Sequence, residues 1–134
     1  MRAPIARLPM QRRHRLKKSV EFQRVRALRQ SWAHPLLVLY IADNDLGVTR
    51  VGISVSKRIG NAVTRNRVKR LIREAVRLLL PSLPAGRDLV FISRSPSAGA
   101  GYLEICETVQ KLLRRARLLP QQSPRSLGKR SDQE

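Results

Sequence analysis

Residues 61–79 restrict the fold of this chain more than any other stretch. From Arg65 to Arg77 they hold six basic residues (Arg65, Arg67, Lys69, Arg70, Arg73, Arg77) and one acid, Glu74. Placed on a helix at about 100° per residue, Val68, Leu71, Ile72, Ala75, Val76 and Leu79 fall on one stripe. Asn66, Lys69, Arg70, Arg73 and Arg77 take the opposite face, with Arg65 and Arg67 flanking it. Such a helix must lay its stripe on a core that the rest of the chain supplies. Its other face shows water a strip of fixed positive charge. Lys69–Arg73 and Arg73–Arg77 are like charges at i, i+4, each pair destabilising by roughly 0.2–0.5 kcal/mol. A polyanion relieves that repulsion, and a phosphate backbone is the obvious one. A merely solvated helix face normally mixes signs, and this one hardly does.

Composition agrees. The formal net charge is +19 over 134 residues, with a sequence pI near 11.8. A chain so charged repels itself when compact and seeks anionic partners. The length suits one domain with tails, and 42% hydrophobic residues suffice for a modest core. One cysteine permits no internal disulfide, which fits a reducing cytosol, so a cytoplasmic location is expected. No apolar run reaches the ~18 residues of a membrane span. The N-terminus has arginines but lacks the apolar segment of a secretory signal. A mitochondrial presequence would share that composition, but here the basic character continues along the whole chain.

Residues 1–13 are basic and hold Pro4 and Pro9, and read as a flexible arm. Residues 14–119 read as the domain. Residues 120–134 are polar, contain Pro, Ser and Gly, and read as a disordered tail. There are no internal repeats.

Within the domain, Ser19 is a plausible N-cap for a helix carrying Val20, Phe22, Val25 and Leu28. Residues 35–42 read as a buried strand, and residues 43–47 as a turn. Residues 50–56 alternate: Val51, Ile53 and Val55 on one face, Arg50, Gly52, Ser54 and Ser56 on the other. The basic helix follows, ended by Pro81 and Pro84. Residues 88–94 form another strand. A last helix over residues 102–119 carries Leu103, Cys106, Val109, Leu112, Leu113 and Ala116 on one stripe. Cys106, on that stripe, reads as a small buried hydrophobe rather than a reactive thiol. The residues alone thus give α-β-β-α-β-α, a mixed sheet with helices.

Several chemistries are disfavoured. One cysteine and two histidines, His14 and His34, make no zinc cluster. No Gly-x-x-x-x-Gly-Lys phosphate loop occurs. The acids are scattered, and Asp43 and Asp45 read as solvated turn formers. A protein nuclease usually needs clustered carboxylates for metal, or a histidine pair for acid and base work. Catalytic groups are therefore expected elsewhere than on this chain.

The block from Arg50 to Glu74, centred on Arg65-Asn66-Arg67, closely resembles the signature of the bacterial ribonuclease P protein component. Residues 16–25 resemble that family's opening helix, residues 37–40 a strand, and residues 86–94 its later strand. The likeness covers about residues 14–119. It implies an α/β (α+β) sandwich in the order α-β-β-β-α-β-α, similar to some ribosomal proteins. The sheet would be four-stranded and mixed, with a left-handed crossover at the basic helix. Parallel crossovers are right-handed in about 98% of cases, so periodicity does not yield that hand. The fourth strand is expected near residues 31–35 or within residues 37–50.

The resemblance also implies a function: the protein subunit of an endoribonuclease whose RNA subunit performs the chemistry. That RNA holds Mg2+ and removes the 5′ leader of precursor tRNA, and no protein-bound cofactor is expected. The partners implied are the catalytic RNA and precursor tRNA, with neither membrane nor DNA. Arg65, Asn66, Arg67, Lys69, Arg70 and Arg73 match the motif that faces the catalytic RNA. Phe22 and Tyr40 match aromatic positions of a leader cleft between the first helix and the sheet. Stacking there is worth about 1–3 kcal/mol per base with little sequence preference. Ser54, Ser56, Lys57, Arg58 and Asn61 match the strand end and loop bordering that cleft.

Two places depart from the family's pattern. Arg26 stands where many relatives carry a second aromatic, which points to a guanidinium contact with phosphate or base. Residues 28–34 lack a glycine often found there. On the residues alone Phe22 fits a core position as well as a cleft wall, and Tyr40 lies on a strand apolar on both faces. Tyr102 fits either the cleft border or the start of the last helix, and Trp32 reads as a packing residue. The rival function is a structural RNA-binding protein of the ribosomal type. A self-sufficient nuclease is disfavoured by the missing acid cluster.

Overall fold

The structure, a computed structural model, describes residues 11–120. The expected N-terminal arm and C-terminal tail lie almost wholly outside them. Seven main elements follow in the order α-β-β-β-α-β-α: α1 (Ser19–Ala27), β1 (Ser31–Ala33), β2 (Leu37–Asp43), β3 (Arg50–Ser54), α2 (Ala62–Leu79), β4 (Arg87–Ser93) and α3 (Tyr102–Arg115). The fourth strand is thus β1, in the first of the two places expected for it.

The strands form one mixed sheet in the order β1-β2-β4-β3. β2 pairs antiparallel with β1 and β4, and β3 pairs parallel with β4. A parallel neighbour cannot be reached by a hairpin, so α2 serves as the crossover. The period-2 alternation of strands then assigns two cores. Leu37, Leu39 and Ile41 of β2, Leu89 and Phe91 of β4 and Val51 of β3 join the larger core, with Val68, Ile72, Ala75 and Val76 of α2 and Ile105, Val109, Leu112 and Leu113 of α3. The alternate residues Ala42, Val90, Tyr40 and Ile92 meet Phe22 and Val25 of α1 and Leu16 just before it. β2 and β4, covered on both faces, are the near-continuous apolar runs that such burial requires.

α2 realises its expected stripe, with Leu71 and Leu79 packed at its margin. Asn61 caps it: its side-chain Oδ1 accepts from Thr64 N at 2.9 Å. Arg77, expected on the solvent face, is instead mostly covered; its side chain is 12% exposed and pairs with Glu74 at 2.6 Å.

Four other details differ from the sequence reading. Ser19 begins α1 but does not cap it; Lys18 holds the cap position with no side-chain bond. Val20 and Leu28 are exposed, so the apolar contact of α1 with the sheet is made by Phe22 and Val25. In α3, Leu103 is 75% exposed, and Ile105 and Thr108 take the buried face instead. Three strands also shift by a residue or two: 35–42 becomes Leu37–Asp43, 50–56 becomes Arg50–Ser54, and 88–94 becomes Arg87–Ser93.

Arg29 adopts φ 59° and turns the chain from α1 into β1. A left-handed conformation at a residue with a Cβ costs roughly 1–2 kcal/mol.

Candidate nucleic-acid interface

β3 is an edge strand, and among the described residues most of its outer edge carries no partner strand. At its start the chain returns: Arg15 bridges Val51 in parallel, and Leu16 N donates to Val51 O at 2.8 Å. His14 Nδ1 lies 2.8 Å from Thr49 O. Beyond this pinned entry, Ile53, Ser54 and Val55 border a groove of about 430 Å³ between α1, the sheet and α2.

Phe22 forms one wall of the groove. Its ring lies flat over β3 where there is no side chain: a Cβ on Gly52 would come within 2.5 Å of Phe22 Cζ. Glycine is needed there for close approach, not for a turn. The two readings of Phe22 are therefore reconciled, since one side of the ring packs into the small core and another faces the groove. Lys17, Ser19, Gln23, Arg26 and Lys69 line the same groove, and Arg73 borders its continuation beside Arg15 and Lys17. Gln23 and Arg26 also line a second hollow, with Arg29, Ser31 and Tyr40. There the Arg26 guanidinium lies 5.7 Å from the Tyr40 ring centroid, within cation–π range. A continuous basic channel thus crosses from the β3 edge, past Phe22, to Tyr40.

The other candidate residues have distinct settings. Ser56, Lys57 and Arg58 are exposed just beyond β3. Asn66 and Arg70 are exposed on α2, and Arg65, Lys69 and Arg73 are half-buried. Arg65 Nε is buried without a hydrogen-bond partner among the described residues. Arg67 turns inward: Nη2 donates to Ala100 O at 2.8 Å and Nη1 to Ala98 O at 3.3 Å. Arg67 therefore ties α2 to the loop before α3 while keeping other N–H donors. Lys69 and Arg73 reach the lip of the groove, so the α2 strip and the cleft share a border. Tyr102 starts α3 and is absent from the groove lining; a hydrogen bond with Cys106, with burial, pushes its phenol up to about 12. Trp32 packs on the larger core.

Sequence reasoning missed what holds α1 over the sheet. Asp88 is fully buried and gathers four donor contacts. Arg50 Nε and Nη2 donate to its two oxygens at 2.9 and 2.8 Å, Asn44 Nδ2 donates at 2.7 Å, and Arg24 reaches it from α1. Arg50 Nη1 also donates to Glu21 of α1 at 2.9 Å. Burial alone would raise the Asp88 carboxyl, but hydrogen bonds from Arg50 and Asn44, with the charges of Arg50 and Arg24, hold it below its usual value. The Asp88 hydrogen bond likewise raises the Arg50 guanidinium above its ordinary value against the effect of burial. A lone acid at a strand start gives no sequence signal for this role. Lys17 and Gln23 were missed for a similar reason: their direction depends on the Arg15–Val51 bridge and the tilt of α1.

Among the described residues, no group of three His, Cys, Asp or Glu could hold a metal ion. No helix among them is long and apolar enough to cross a membrane.

Comparison with known proteins decides the family. The family model for ribonuclease P matches residues 10–117. The chain belongs to the ribonuclease P protein family. It is 45% identical over 111 residues to the ribonuclease P protein component of Clostridium novyi (strain NT), covering 81% of this chain and 98% of that protein. It is 41% identical over 124 residues to that of Chloroflexus aurantiacus, covering 92% of each. The solved ribonuclease P protein of Staphylococcus aureus superposes with a TM-score of 0.74 at 35% identity, covering 80% of this chain and 98% of that one. The Thermotoga maritima protein, solved with 1-(4-fluorophenyl)-2-thiourea, gives 0.68 at 28%, covering 75% and 98%. The family's fold is the four-stranded mixed sheet with three helices described above. Membership makes this chain a protein subunit of ribonuclease P, with a role in tRNA processing and an RNA partner.

Proposed function

We propose that this subunit binds the catalytic RNA of ribonuclease P along α2 and holds the 5′ leader of precursor tRNA in the channel beside α1. The observation that carries the reading is the position of Phe22, seated on Gly52 with cations around it. An aromatic wall among basic side chains is what an unpaired strand needs: bases stack while phosphates meet charge. In this reading Phe22 stacks a base, and Arg26, paired with Tyr40, meets a base face or a phosphate. Ser54, Ser56, Lys57, Arg58 and Asn61 border the strand's exit. Arg65, Asn66, Arg67, Lys69, Arg70 and Arg73 face the catalytic RNA.

The hydrolysis belongs to the RNA subunit in this proposal, and Mg2+ is held there. The chain's own part is positioning: fixing the leader relative to the cleavage point and screening phosphate repulsion between two RNAs. We place the complex in the cytoplasm and expect no DNA partner.

The test is cleavage of a leader-bearing precursor tRNA in magnesium at near-physiological salt, with the protein alone, the catalytic RNA alone, and both. Activity chiefly in the mixture, giving the mature 5′ end, supports the proposal. Cleavage by the protein alone overturns the placement of catalysis on RNA. Intact RNA binding with no gain in cleavage favours a purely structural RNA-binding role.

A further inference from the structure

The sheet has a second edge. β1 lies three strands from β3, roughly 14 Å away at the usual strand spacing. Beside it a groove of about 470 Å³ is lined by Ala33, His34, Pro35, Arg94, Ser95 and Pro96. Two guanidiniums are fixed here by backbone carbonyls of one short turn. Arg115 Nη1 donates to Ala33 O at 2.7 Å, and Arg94 Nη1 donates to His34 O at 3.4 Å. A guanidinium has five N–H donors, so each keeps most of its capacity for an outside acceptor. Lys111 lies one turn before Arg115 on α3, and all three cations are exposed.

Among the described residues no acid forms an ion pair with this group. The ion pairs among the described residues engage Glu21, Asp43, Glu74 and Asp88, and none involves Arg94, Lys111 or Arg115. Lys111 and Arg115 are like charges at i, i+4, an arrangement that costs stability unless an anion intervenes. His34 reports the same local potential. Burial, then the charges of Lys111 and Arg115, hold its imidazole below the ordinary range. Its Nδ1 accepts from Leu36 N at 3.1 Å, so the neutral ring carries its proton on Nε2.

We propose that this groove is a second docking site for RNA phosphates, engaged by the catalytic RNA. The inference rests on the reading of α2 as the face toward that RNA. α3 packs with α2 on the same side of the sheet, whereas Phe22 and the leader channel lie on the other. A large folded RNA lying along α2 can continue round to α3 and the β1 edge. A single strand threaded past Phe22 does not reach it.

The test is a salt titration of affinity for the catalytic RNA alone, using full-length protein. Arg94→Gln/Lys111→Gln/Arg115→Gln is expected to weaken binding roughly tenfold and lower the salt slope by about 2. Lys111→Gln alone, which takes part in neither of these backbone contacts, is expected to lower the slope by about 1; it decides the matter if the triple variant melts early. Arg65→Ala is the control for the parent reading. If Arg65→Ala lowers the slope and neither groove variant does, the groove proposal falls and the α2 reading stands. If none of the three changes it, the α2 reading falls and takes this inference with it. Unchanged affinity for the catalytic RNA with weakened precursor binding by the assembled holoenzyme would also overturn the proposal.

Discussion

Adding one methyl group to Gly52 tests how the channel is built. A Cβ there would lie 2.5, 2.9 and 3.0 Å from Cζ, Cε1 and Cε2 of Phe22. Carbon atoms rest at about 3.5–4.0 Å, so the ring must withdraw by roughly 1 Å. β3 cannot yield instead, because its residues 50–54 are hydrogen-bonded to β4 in continuous parallel register. α1 resists as a body, held by Arg50–Glu21 and Arg24–Asp88. The ring is therefore expected to tilt into the groove. Overpacking a tight site costs typically 1–3 kcal/mol; with one side of the ring open, the loss for Gly52→Ala should lie near the lower end, about 1 kcal/mol. The functional loss should exceed it in consequence. A displaced ring fills the space meant for a base and forfeits stacking of about 1–3 kcal/mol, which is roughly 5- to 150-fold in affinity. The assays are urea unfolding of the protein and equilibrium binding of precursor and mature tRNA to the reconstituted holoenzyme. Precursor affinity should fall and mature tRNA affinity should hold. Phe22→Leu in the Gly52→Ala background should recover part of the stability but not the leader affinity. Unchanged stability together with unchanged precursor binding would refute the packing of Phe22 on Gly52 as the basis of the channel.

Three further expectations follow from the same geometry. Asp88→Asn should cost about 3 kcal/mol in urea unfolding, the lower end for a broken buried ion pair because Arg24 reaches solvent; a loss under 1 kcal/mol would show that the network does not anchor α1. Since the Asp88 carboxyl is held below its usual value, its contribution is complete above the unfolded value near pH ~4 and is lost as pH falls through the folded one, so Asp88→Asn should flatten the acid limb of the stability profile. Arg65→Ala should lower the salt slope of RNA binding by about 1 with little change in stability, whereas Arg67→Ala should also destabilise by about 1.5–3 kcal/mol, because Arg67 bonds the carbonyls of Ala98 and Ala100; equal melting temperatures for the two variants would contradict this split. Arg29→Gly should raise stability by about 1 kcal/mol through relief of a positive φ, measured by thermal unfolding, and a loss would mean that the arginine side chain matters more than the backbone strain.

Local repetition made much of the protein legible in its sequence. The stripe of α2 needs only the helical period, and its basic strip follows once the stripe is buried. β3 and β4 show themselves by alternation and apolar runs, and the long block around Arg65-Asn66-Arg67 is specific enough to name the family. β1 was not visible from residues alone, because three residues with two exposed carry no period. α1 was overread for the opposite reason: Val20 and Leu28 are apolar but exposed, since the helix touches the sheet through a narrow face.

The tertiary structure decided which cations are available and which are spent. Arg67 and Arg77 look alike in sequence to Arg70, yet one ties down a loop and the other pairs with Glu74. The Arg67 outcome depends on the loop before α3, which arrives about 30 residues later along the chain. Asp88 looked like an ordinary strand-start acid, and its partners lie 38, 44 and 64 residues away. Phe22 was ambiguous until Gly52 came beneath it. Periodicity fixes which face of an element turns inward; which side chain meets which is fixed only when distant segments close on one another, and the channel is made from such meetings.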